Sequence, residues 1–209
     1  MTTQRVTGLV LLAGTALCSI TLAGGAWAAD VGQLVEDCNH CHGKDGASSE
    51  STIPTIGGFS APYASDTMIA YKEKERLCIE TEYPGGDKKG QKTDMCKVVA
   101  DLSEQDIMEI AKHYAAKPFV RAKQDFDPAL AAKGKEIQDD KCVKCHAEGG
   151  SLASDDSGIL AGQWTPYLRE AFRQYSSGDR PMIKKMKKKY DTINDEDIEA
   201  LLHYFASFQ

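Results

Sequence analysis

Cys38, Cys41 and His42 recur 104 residues further on as Cys142, Cys145 and His146, and the register between the copies runs well beyond those six positions. Ile56, Gly58, Pro62, Tyr63 and Tyr71 fall on Leu160, Gly162, Pro166, Tyr167 and Tyr175. A chain with this internal similarity is a duplicated domain, so whatever one half folds into, the other must fold into as well. Later the offset becomes 91, with Leu102–Ile107 lying over Ile193–Ile198. The change leaves 13 extra residues in the first half between Tyr71 and Leu102. They centre on Pro84-Gly85-Gly86-Asp87-Lys88-Lys89-Gly90, the composition of an exposed loop.

The repeated pentapeptide is Cys-x-x-Cys-His. Expected on the first turn of a helix, it lets two thiols add across the vinyl groups of a haem while the next imidazole meets the iron. A zinc half-site would want two further soft or imidazole ligands per site, and a thioredoxin-type dithiol would follow a strand in a βαβ pattern. Neither context is present. The motifs therefore point to two covalently attached c-type haems, with Cys38, Cys41, Cys142 and Cys145 as tethers and His42 and His146 as iron ligands.

Residues 1–29 read as a secretory signal: Arg5 precedes an uncharged apolar stretch from Val6 to Leu22, and Ala26-Trp27-Ala28 offers a small-x-small cleavage site. Cleavage would remove Arg5, Cys18 and no acidic residue, leaving 24 basic against 31 acidic side chains, a formal −7. The expected product is periplasmic, without a membrane span and without the electrostatic footprint of a nucleic-acid binder.

The two domains are expected at 30–117 and 128–209, joined by a linker at 118–127, with Asp127-Pro128 as N-cap and first helical residue of the second. Ser103 and Asn194 suit helix N-caps, with Asp106 and Asp197 three residues on. Ile107, Ile110 and Tyr114 repeat at helical spacing, as do Ile198, Leu201 and Phe205. Each half should thus end in a helix whose apolar face packs on the motif-bearing helix.

A sixth ligand is nominated by the same repeat: Met95 stands seven residues before Leu102, and Met186 seven before Ile193. A thioether favours the ferrous state, raises the potential and closes the coordination sphere, so such haems pass electrons and bind no substrate. Met68, Met108 and Met182 read as core gap-fillers, although Met182 competes with Met186 if four residues on a helix put both on one face. Cys78 and Cys96 flank the extra residues and are expected to form a disulfide; the alternative is Cys96 as a thiolate ligand to the first iron. His40, His113 and His203 lack a counterpart in the other half and read as surface or packing residues. Lys184, Lys185, Lys187, Lys188 and Lys189 surround Met186 and form either a solvated face or a dock for an acidic partner.

The segment Ile159-Leu160-Ala161-Gly162-Gln163-Trp164-Thr165-Pro166-Tyr167-Leu168, followed by Arg180-Pro181-Met182 and Lys184-Lys185-Met186, resembles the dihaem cytochrome subunit of flavocytochrome c sulfide dehydrogenase. So do Ala122-Lys123-Gln124, Phe126-Asp127 and the second motif. The resemblance implies an all-α protein of two tandem class I cytochrome c domains related by a pseudo-twofold. It further implies a flavoprotein (FAD) sulfide dehydrogenase subunit as partner, with FAD only on that subunit, and a soluble electron acceptor such as a small cytochrome c. The chain itself has no Gly-x-Gly-x-x-Gly dinucleotide signature. The alternative is a free-standing dihaem shuttle to a terminal oxidase or reductase. A haem enzyme would need an unusual ligand or an open site, against the duplicated methionine. One departure stands out: nothing in the second half matches Pro54, which in this fold sits where a backbone carbonyl orients the ligating histidine.

Overall fold

The computed structural model describes residues 1–2 and 30–209, so all but two residues of the expected signal segment lie outside the described residues. The first half opens with α1 (Val31–His42), where the Asp30 carboxylate accepts from Gly32 N. After a loop, α2 (Ala61–Lys72) starts on the Ser60 cap with Pro62 in its first turn. A two-stranded antiparallel hairpin, β1 (Thr81–Glu82) and β2 (Lys92–Thr93), leads into α3 (Met95–Val99) and α4 (Glu104–Ala115). Val35, Met68, Val99, Ile107, Ile110 and Tyr114 bring the four helices around one core.

The second half repeats the scheme. α5 (Pro128–Ile137) begins where Asp127 accepts from Ala129 N and Leu130 N. A short turn α6 (Ala147–Gly150), then α7 (Thr165–Ser177), α8 (Lys184–Tyr190) and α9 (Asp195–Ala206) complete it around Leu168, Leu201, Leu202 and Phe205. α4 packs on α1 and α9 on α5, as the apolar spacing requires. The α5–α9 crossing is close because residue 134 is glycine; a Cβ there would run into the Ala200 carbonyl. Both terminal helices carry the expected capping boxes, Ser103 with Asp106 and Asn194 with Asp197.

Several expectations are corrected. The first Cys-x-x-Cys-His lies on the last turn of α1, not on a first turn, and the chain leaves it through Gly43 at φ 76°. The second lies on no α-helix: α5 widens into a π-type turn over Gln138–Cys142, and Cys145 and His146 follow in turns. The extra residues are not merely an exposed loop. Their hairpin folds back on α1, where Lys88 Nζ pairs with Asp37 at 2.6 Å and Gly86 lies flat against the His40 ring. Met108 fills no core; it lies on the exposed face of α4.

The two halves are stitched together by the Gln163-Trp164 segment. The Gln163 amide, fully buried, accepts from Thr55 N at 3.0 Å and donates to Thr55 O at 2.8 Å, while Trp164 Nε1 donates to Ser48 O at 3.0 Å. The expected linker is also pinned: Ala122 N donates to Gly162 O, and the Gln124 side chain bonds Gln163 O and Thr165 N.

Candidate functional site

A cavity of about 670 Å³ is lined by α1, α2, α3, α4, the hairpin and one face of α7. Cys38, Cys41, His42, Pro54 and Met95 all line it, among Ile53, Met68, Val99 and Ile110. His42 is buried, and its Nδ1 lies 2.8 Å from the Pro54 carbonyl, which can only accept; Nδ1 therefore carries the proton and Nε2 keeps a free lone pair. Burial pushes the imidazole pKa down against the opposing pull of that hydrogen bond, so the ring is held neutral, as a metal ligand must be. Neither thiol is in a disulfide, and burial pushes that of Cys38 up to about 11. Thr55, next to Pro54, is the residue gripped by Gln163, so the second half helps fix the carbonyl that orients His42. Two free thiols, a tautomer-fixed imidazole and a thioether around an apolar cavity fit a covalently held haem.

Met95 is the first residue of α3, whose N-cap Asp94 accepts from Lys97 N at 2.9 Å. Next to it, Cys96 bonds Cys78 across a Cα–Cα distance of 5.7 Å. The disulfide engages Cys96 and removes the thiolate alternative for the first iron.

The second motif is held differently. Ser157 Oγ stands 3.3 Å from Cys145 O and 3.2 Å from His146 Nδ1. A hydroxyl that donates to the carbonyl is left to accept from Nδ1–H, so Ser157 does for His146 what the Pro54 carbonyl does for His42. The Gln138 amide donates to His146 O at 2.6 Å and fixes the backbone. Burial again pushes the His146 pKa down. Cys142 is also pushed up to about 11 by burial. Met186 lies half-buried on α8, the helix that contacts the Gln138–Cys142 turn. Met182 lies before the α8 N-cap Ile183, so the two methionines share no helix face. His203 Nδ1 accepts from Asp127 N, and His113 packs edge-on against Tyr114.

One cluster escaped the sequence reading. Arg76 and Arg180 are buried where the halves meet, 5 % and 8 % exposed, and both line the cavity. Arg76 stacks 4.3 Å over Tyr71 and Arg180 4.7 Å over Tyr175; Arg180 Nη2 also donates to Tyr63 OH across the seam. The signal was available, because Arg76 falls on Arg180 at the same offset of 104 that pairs Tyr63 with Tyr167 and Tyr71 with Tyr175. Burial alone would push the Tyr167 phenol up, but the two guanidiniums outweigh it and hold the pKa low. Arg169 and Arg173 pair with Glu199, Glu170 and Asp179, whereas Arg76 and Arg180 pair with no carboxylate among the described residues. Among the described residues Arg76 Nε has no hydrogen-bond partner.

Residues 131–209 match the family model for cytochrome c. Cytochrome c-554(548) of Halomonas halodenitrificans is 30% identical over 80 residues, covering 38% of this chain and 83% of that protein. The chain belongs to the cytochrome c family. Along nearly its whole length it is also similar to cytochrome c4 of Pseudomonas aeruginosa, 27% identical over 97% of this chain and 92% of the relative. Among solved structures, reduced recombinant cytochrome c4 from Pseudomonas stutzeri superposes with a TM-score of 0.68 at 24% identity, covering 87% of this chain and all of that one. Thiosulfate dehydrogenase (TsdBA) from Marichromatium purpuratum superposes at 0.65 and 22% identity, covering 85% of this chain and 39% of that one. The fold is thus two tandem cytochrome c domains, and this cytochrome is a dihaem, cytochrome c4-like electron-transfer protein.

Proposed function

We propose that this cytochrome relays single electrons through two coordinatively saturated haems, the first tethered by Cys38 and Cys41 between His42 and Met95, the second tethered by Cys142 and Cys145 between His146 and Met186. The domains are 30–117 and 128–209 with the linker at 118–127, exported to the periplasm behind the segment 1–29. The observation that carries the reading is the first cavity, where the free Nε2 of a proline-anchored histidine and the thioether of Met95 line one apolar space. When bound, the haem iron supplies the one-electron couple. The chain's own residues fix the imidazole tautomer, exclude water and fill the remaining coordination position.

The donor has two supported readings. The near full-length likeness to cytochromes c4 fits a free-standing shuttle between other redox proteins. The segment from Ile159 to Met186 resembles the cytochrome subunit of flavocytochrome c sulfide dehydrogenase, which fits a flavoprotein donor whose two electrons the two haems divide. Isolation from the native host with a flavin assay, followed by sulfide-dependent reduction of both haems, separates them: a lone flavin-free chain that sulfide does not reduce supports the shuttle. The ligand set has its own test. Met95→Ala and Met186→Ala should each remove the thioether-to-iron absorption band of one haem; loss of the second band with Met182→Ala instead would displace Met186.

A further inference from the structure

The seam cluster has no role in the ligand set above, yet it is built at a cost. Among the described residues no carboxylate balances these two buried guanidiniums, which stack on Tyr71 and Tyr175, and one of their donors has no partner. A buried cation left uncompensated is strongly unfavourable, so the site calls for an anionic occupant. Its position defines that occupant. The same cavity is lined by the two motif thiols, the His42 imidazole, both buried guanidiniums and aliphatic side chains such as Val99 and Ile110. That lining suits a flat apolar group that is attached through thiols and carries acidic substituents. A haem bound through its vinyl groups carries two carboxylates on the remaining edge, and two carboxylates balance two guanidiniums.

We propose that Arg76 and Arg180 together hold the carboxylates of the first haem, and that Arg180, supplied by the second half, is a tuning residue for the reduction potential of the first. This rests on the haem site proposed above. Arg76 reaches that site from the segment following α2, whereas Arg180 reaches it from the segment between α7 and α8, held at the seam by its bond to Tyr63 OH. The backbone reinforces the crossing, since Leu77 N donates to Asp179 O at 3.1 Å between the two arginines. A fixed cation beside the haem disfavours the ferric state, which carries one more positive charge, so it raises the potential. Arginine suits the task because it stays charged when buried and presents a planar fork to carboxylates.

The test is potentiometry of the full dihaem protein, with each haem followed through the NMR methyl signal of its axial methionine, assigned using the Met95 and Met186 variants. Arg180→Gln should lower the potential of the first haem by about tenfold in the reduction equilibrium, or about 59 mV for a one-electron couple. Arg180→Lys, which keeps the charge, should restore most of that shift, and Arg76→Gln should lower the same potential. An unchanged first haem in Arg180→Gln, or equal shifts in the Gln and Lys variants, would overturn the proposal. Haem content by pyridine haemochrome is measured alongside. A wild-type protein without two covalent haems would refute the underlying site, a result distinct from two bound haems whose potentials ignore Arg180.

Discussion

His42 and His146 occupy equivalent places in the repeat but are oriented by different atoms, a proline carbonyl in one case and a serine hydroxyl in the other. The two acceptors are not equal. A carbonyl has only lone pairs to offer, while the Ser157 hydroxyl also has to donate to Cys145 O to stay aligned. Hydrogen bonding at Nδ1 raises the basicity of the other nitrogen and so favours ferric iron. Ser157→Ala removes that bond, worth about 0.5–1.5 kcal/mol. The second haem's potential should therefore rise while the first stays fixed, as spectroelectrochemistry would record; an unmoved second haem would show that Ser157 has no bearing on His146. The sequence could flag the missing proline but not its replacement, because Ser157 lies eleven residues past His146 and follows no spacing rule.

The helices were more legible than the motif they serve. Capping boxes are local, so Ser103/Asp106 and Asn194/Asp197 could be read from four residues each, and the apolar stripes behind them fixed which face of α4 and α9 is buried. Ser103→Ala should cost about 1 kcal/mol in chemical denaturation. Asp106 adds a pH signature. Hydrogen bonds from the Ser103 hydroxyl and then its N–H hold this carboxyl below the ordinary aspartate range. A depressed folded-state pKa contributes stability that is complete above the unfolded value and disappears as the pH falls through the folded one. Wild type should therefore exceed Asp106→Asn in Tm at neutral pH, and the gap should close in acid; a gap independent of pH would mean the charge plays no part. What resisted local reading was the motif. Nothing in Cys142-Val143-Lys144-Cys145-His146 says that α5 widens into a π-type turn before it, because that depends on Gln138, buried and reaching forward to His146 O. The hairpin of the extra segment was hidden for a similar reason: Gly86 and Lys88 are turn and surface residues by composition, and only the fold brings them against His40 and Asp37.

Across the whole molecule, the halves act on one another through Gln163, whose amide takes both backbone groups of Thr55 while Thr55 adjoins the carbonyl that anchors His42. Gln163→Ala leaves two buried backbone groups unpaired, at about 1–3 kcal/mol each. It should lower Tm and broaden the Met95-dependent absorption band of the first haem, although residue 163 belongs to the second half; an effect confined to the second haem would refute this coupling. The charge distribution points the other way, outward from the second half. Lys184, Lys185, Lys187, Lys188 and Lys189 all stand exposed on α8, while the protein as a whole is acidic at a formal −6. α8 also carries Met186 and touches the turn that bears Cys142, so an acidic partner drawn to this helix would arrive beside the second haem. Attraction between exposed charges acts on the encounter rate and is screened within roughly 8 Å at physiological ionic strength. Electron transfer to an acidic acceptor should therefore slow as salt is added. Replacing Lys185 and Lys188 by Glu should lower the second-order rate at low salt by about tenfold and flatten its salt dependence, with the first haem's potential unchanged. A rate for the double variant that matches wild type at every ionic strength would move the exit for electrons to another face.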